Sequence, residues 1–132
     1  MNNILSMNIQ GLWADPKFMD LKDLFLSSNS KMLLIQETMR DSIQTISYFR
    51  RMFPSWHMVA TNAIGLSSGL AVLWDTKWIK AAAFQYFVSI LIQAYIRDPP
   101  NLVRILNIML HINIGIHFGK IFYHQNFLIL IP

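Results

Sequence analysis

Apolar and polar positions change period several times along the chain, and each change marks an element. Residues 4–9 form a short apolar run closed by Gly11, as expected of a strand. Asp15-Pro16 follows, a carboxylate suited to an N-cap before a proline suited to the first helical position. Phe18, Leu21, Leu24 and Phe25 then recur at helical spacing, with Lys17, Asp20, Lys22 and Asp23 on the other face. Ser27-Ser28-Asn29-Ser30 stops that helix. Met32-Leu33-Leu34-Ile35-Gln36 is continuous enough to be a strand buried on both faces, and it ends abruptly in Glu37. Strand, amphipathic helix, strand is a βαβ unit, which predicts parallel strands joined by a right-handed crossover. Asn8 and Glu37 are then delivered to one sheet edge, where open α/β sheets bind ligands.

Asp41-Ser42 predicts a second N-cap, and Ile43, Ile46, Phe49, Arg50 and Phe53 trace a helix ending before Pro54. Arg50 and Arg51 lie near its C-terminus, where cations complement the helix dipole, and this accounts for them without nucleic-acid contact. From Trp56 the period becomes two: Trp56, Met58, Ala60 and Asn62 alternate with His57, Val59 and Thr61. Gly65-Leu66-Ser67-Ser68-Gly69 turns into another strand at 70–74, so an antiparallel hairpin is added to the edge of the parallel pair. A Gly-Ser loop that leads into a strand lacks the helix N-terminus of a phosphate cradle, and it reads as a turn. Residues 79–87, 90–96 and 102–109 are further strands, with a break at Arg97-Asp98-Pro99-Pro100-Asn101. Residues 111–132 form a divergent apolar tail with no clean period, following a domain expected over 1–110.

Composition narrows the class. Of 132 residues, 54% are apolar and 14% charged, against roughly 25% charged in soluble domains, so disorder is excluded and low solubility is expected. A net charge of +4 fits a polyanionic partner without requiring one. The absence of cysteine excludes disulfides and thiolate metal sites. No basic segment precedes the first apolar residues, which argues against a secretory signal, and no apolar run reaches about 18 residues. No membrane association and an intracellular location, nuclear or cytoplasmic, are expected.

Three blocks occur in order: Asn8-Ile9-Gln10-Gly11-Leu12, Leu34-Ile35-Gln36-Glu37-Thr38 and Gly69-Leu70-Ala71-Val72-Leu73-Trp74-Asp75. Together they resemble the endonuclease/exonuclease/phosphatase superfamily with its DNase I-like fold. The nearest flavour is the endonuclease domain of plant LINE-type (non-LTR) retrotransposons, which Pro54-Ser55-Trp56-His57 also resembles. The similarity runs from about Asn3 to Trp78 and more weakly through Arg104-Ile105-Leu106-Asn107-Ile108. It implies an α/β (α+β) sandwich, a partial DNase I-like four-layer fold with mixed β-sheet and flanking helices. The chemistry implied is Mg²⁺-assisted hydrolysis of a phosphodiester in nucleic acid, with DNA as the partner. Glu37 would be the metal ligand and Asn8 the first-strand asparagine. Gln10 stands where some relatives carry Asp or Asn, as a weaker neutral ligand.

The departures from the family pattern bear on activity. Met7 replaces a usual tryptophan and Ser68 a common second glycine. Met109 stands where an active-site tyrosine is expected, and a thioether donates no hydrogen bond to phosphate. The Gly-Asp-Phe-Asn and Ser-Asp-His blocks are missing, so the family's catalytic aspartate and His-Asp pair have no counterpart. Spacings of six and seven separate His111, His117 and His124, which suits a metal on neither helix nor strand, and His57 reads as a strand residue. Trp56 and Trp74 read as core, leaving Trp13 as the aromatic nearest the candidate site. Two readings stay open: a metal-dependent phosphoesterase centred on Asn8 and Glu37, or a truncated, non-catalytic remnant. A small nucleic-acid-binding module would need a basic stripe, and the eleven lysines and arginines look scattered. Half of a two-sheet sandwich would leave an inner sheet face bare, so self-association or aggregation is expected.

Overall fold

Strict alternation inside the run at 32–36 organises the molecule. In the computed structural model, which describes residues 3–12, 15–63, 68–86, 89–97, 100–108, 120–124 and 127–131, this run lies in strand β2 (Ser30–Gln36). Leu33 and Ile35 face a helical layer, while Met32 and Leu34 face a second sheet, and all four are fully buried. A strand covered on both sides has no solvent face, hence its unbroken apolar sequence.

The first sheet has the order β1-β2-β4-β3, with β1 spanning Asn3–Asn8, β3 His57–Ala60 and β4 Leu70–Trp74. Strands β1 and β2 are parallel, as the βαβ reading predicts, and β4 runs antiparallel to both β2 and β3. The hairpin extends the parallel pair with β4 inside the sheet and β3 at its edge. Burial explains the order: all five residues of β4 are buried, whereas β3 exposes His57.

Helices α1 (Asp15–Ser28) and α2 (Ser42–Met52) cover the outer face of this sheet. Phe18, Leu21 and Phe25 of α1 meet Phe49 and Met52 of α2 over Leu33, Ile35, Ala71 and Leu73. Arg51 holds its guanidinium 4.3 Å from the Phe18 ring centre, and Arg50 donates to the Trp56 carbonyl at 3.2 Å. Both arginines therefore bind the helical layer together. Trp56 stacks on Phe53 with ring centres 4.3 Å apart and is half-buried, while Trp74 lies in the core.

The second sheet is antiparallel, with the order β5-β6-β7-β9-β8. Its strands are β5 (Ile79–Gln85), β6 (Ser89–Arg97), β7 (Pro100–Ile108), β8 (Lys120–His124) and β9 (Phe127–Ile131). The last two come from the apolar tail and add strands to the sheet, β9 pairing with β7. Ile79, Ile90, Ile92, Ala94, Ile96, Val103 and Ile105 pack against Met32, Leu34, Leu70, Val72 and Trp74 of the first sheet. The two inner faces thus cover each other, where the sequence led us to expect one of them bare. The uncovered face among the described residues is the outer one of the second sheet, where Phe84, Tyr95 and Leu102 are exposed. The chain is accordingly α+β, a helical layer on a mixed sheet on an antiparallel sheet. No described helix is long and apolar enough to cross a membrane.

Candidate functional site

Strands β1 and β2 end side by side, with Asn8 opposite Gln36. Their parallel pairing continues into the following loops: the Ile9 amide donates to the Gln36 carbonyl at 3.1 Å, Gly11 to Glu37 at 2.6 Å and Leu12 to Thr38 at 3.0 Å. On the other side, Thr38 donates to the Gly69 carbonyl at 3.2 Å, Met39 to Ser68 at 2.7 Å, and Ala63 to Arg40 at 3.0 Å. Residues 37–40 are laced between two segments of backbone.

That lacing imposes an unusual conformation. Gln10, Glu37 and Met39 have φ of 52°, 56° and 59°, in the left-handed region that side chains with a Cβ disfavour. Three such non-glycine residues in one loop cluster cost about 1–2 kcal/mol each, a strain that proteins concentrate at functional sites. Gly69, at φ 88°, serves the same lacing: a Cβ there would collide with the Thr38 hydroxyl. Asn8 Oδ1 accepts from the Gln10 amide at 3.1 Å, an Asx-type contact that holds the Gln10 turn. The Lys17 ammonium donates to the Ile9 carbonyl and draws the start of α1 onto the same loop.

All three residues singled out in the sequence therefore stand at this end of the first sheet. Asn8 and Gln10 are exposed and Glu37 is half-buried. Glu37 is the chain's one glutamate. Its carboxylate forms no hydrogen bond or ion pair with any described residue. Arg40, three residues on and not singled out by the sequence, is exposed and reaches back to the Leu12 carbonyl at 3.4 Å. His57 pairs with Trp74, at the opposite end of β4 from Gly69, with its ring 4.7 Å from the indole. The Trp13, Met109, His111 and His117 readings fall outside the described residues, and only backbone is described at His124.

A polar network beneath the loops was missed as a unit. Gln36 Nε2 donates to Asn107 Oδ1 at 2.9 Å, with Ser6 Oγ at 3.0 Å and the Leu34 carbonyl at 3.2 Å also within reach. Asn107 Nδ2 donates to the Ile35 and Ala71 carbonyls at 3.2 and 3.0 Å. Both side chains are almost fully buried, so every amide bond they form replaces one to water. The available signal was an amide ending one apolar run and another set between Ile105-Leu106 and Ile108. Nearby, the Thr38 hydroxyl is fully buried without a hydrogen-bond partner among the described residues.

The donor types suit a hard divalent cation: a carboxylate without a partner among the described residues on the loop after β2, and amide side chains at Asn8 and Gln10 at the paired end of β1. Mg²⁺ commonly takes one or two carboxylates plus substrate phosphates and retains several waters, so this arrangement fits it. No cluster of three His, Asp or Glu residues occurs among the described residues, so these residues alone would not enclose the ion. The sequence matches no protein-family model and no curated protein.

Proposed function

We propose that the loops after β1 and β2 form a cation-assisted phosphodiester-binding site of the DNase I-like kind, acting on nucleic acid. The observation that carries this reading is the strained loop cluster that brings Glu37, whose carboxylate has no partner among the described residues, to the same sheet end as Asn8 and Gln10. The α+β arrangement of two stacked sheets with outer helices supports a partial four-layer fold of that type. So do the three sequence blocks, whose nearest likeness is a retroelement endonuclease.

In this reading Glu37 holds the ion, with Gln10 as a neutral oxygen donor. Asn8 keeps the Gln10 turn in its left-handed conformation, and the exposed Arg40 guanidinium pairs with a phosphate oxygen. A bound Mg²⁺ supplies charge stabilisation on the phosphoryl oxygens. The family's aspartate and His-Asp blocks do not occur in this sequence, and catalysis in such sites collapses when essential members are missing. The chain by itself is therefore a binding half of a phosphoesterase site, a non-catalytic remnant in its chemistry.

Titration with Mn²⁺ tests the ion site. Paramagnetic broadening of amide signals from residues 8–12 and 37–40 is expected, and Glu37→Ala abolishes it. A wild-type spectrum that is well dispersed yet unaffected by the ion sinks the proposal. Nicking of supercoiled plasmid with Mg²⁺ should not exceed the level of the Glu37→Ala variant. Nicking that depends on both Mg²⁺ and Glu37 would overturn the binding-only part and restore a complete catalytic site.

A further inference from the structure

The outer face of the second sheet gathers cations and rings that look scattered in the sequence. Register sets Lys80 beside Tyr95 and Tyr95 beside Leu102, forming one row across β5, β6 and β7. The next row is Ala82, Gln93 and Arg104, and the third Phe84, Leu91 and Leu106. Tyr95 and Phe84 are each 44% exposed and Leu102 63%. The first two rows border an open depression of about 390 Å³ that Lys80, Tyr95 and Arg104 share. A second, of about 350 Å³, lies between Tyr95, Lys77 and Arg97. Strands β5, β6 and β7 contain no acidic residue, and the sequence after Asp98 contains none.

We infer that this face binds single-stranded nucleic acid, with bases stacked on Tyr95 and phosphates paired to Lys80 and Arg104. Two observations select that occupant. First, two adjoining depressions lined by lysine and arginine, with no acidic residue in either lining, attract a polyanion. Second, an aromatic ring lying in an open sheet face offers a stacking platform, which unpaired bases can use and paired ones cannot. Neither Lys80 nor Arg104 is held in an ion pair or hydrogen bond by any described residue, so both cations meet phosphate without losing a partner. This surface is separate from the Glu37 loops and does not depend on an ion there.

Fluorescence anisotropy with a labelled oligothymidylate of about 15 nucleotides, in EDTA throughout, tests the assignment. EDTA removes the divalent cation, so failure of the Glu37 reading does not affect the outcome. Lys80→Gln and Arg104→Gln should each lower the slope of log affinity against log salt by about 0.7. Tyr95→Ala should weaken binding about tenfold with that slope unchanged. Lys22→Gln, the same charge change on α1 across the molecule, should leave the slope intact. The assignment is overturned by equal sensitivity to Lys22→Gln, by indifference to Tyr95→Ala, or by tighter binding to duplex of the same sequence. Binding to anionic vesicles that the oligonucleotide fails to displace would assign the face to a membrane surface instead.

Discussion

Gly69 and Thr38 show how tightly the candidate site is built at the level of single residues. A side chain at position 69 meets both a left-handed backbone and the buried Thr38 hydroxyl. Gly69→Ala should therefore lower stability by about 2 kcal/mol or more in chemical denaturation. Combining it with Thr38→Ala should recover part of that loss, since the collision is shared; strict additivity of the two changes would refute the contact. Glu37→Gly should do the reverse, raising stability by about 1 kcal/mol as the left-handed strain is released, while ion broadening disappears. A destabilised Glu37→Gly variant would show that the carboxylate is held by the protein. That Asn8 and Glu37 share one sheet end was legible because strand ends deliver them, whereas Gln10 came from the family resemblance. Their backbone conformation was not, because Gln, Glu and Met are residues that normally avoid it.

At the scale of elements, capping and alternation were easily legible and rotation about a helix axis was not. Asp41 is the N-cap of α2, its carboxylate accepting from the Gln44 amide at 2.7 Å, as its position before a helical period predicts. Asp41→Ala should cost about 1 kcal/mol, measured as a lowered midpoint of thermal or urea unfolding. Ile43, Ile46 and Phe49 trace the helical period, yet Ile43 is 77% exposed and the buried positions are Thr45, Phe49 and Met52. Thr45 accounts for the difference: its hydroxyl bonds to the Asp41 carbonyl at 2.8 Å, so a polar residue faces inward at no cost to hydrogen bonding. Ile43→Ser should accordingly change stability by no more than about 0.5 kcal/mol. The interior position of β4 was also hidden, because a hairpin's sequence does not say which of its strands meets the parallel pair.

Across the whole molecule, the two sheets are joined mainly by isoleucine, leucine and valine, and at one point by the Gln36–Asn107 amides. Asn107→Leu leaves the Gln36 amide and the Ile35 and Ala71 carbonyls short of buried partners, which should lower stability by about 3 kcal/mol. The separation of sheet content into two layers was expected from the family resemblance alone, and contact between Gln36 and Asn107, 71 residues apart, carries no local signal. An interface made mostly of aliphatic side chains accepts several alignments, since sliding one sheet by two residues sets one aliphatic side chain on another again. The amide pair removes that freedom, because every shifted alignment strands its donors in oil. It acts as an indexing pin that selects one docking of the layers. Asn107→Leu should thus keep its strand signal in far-ultraviolet circular dichroism while losing dispersion in its amide spectrum, one sandwich giving way to several sliding ones.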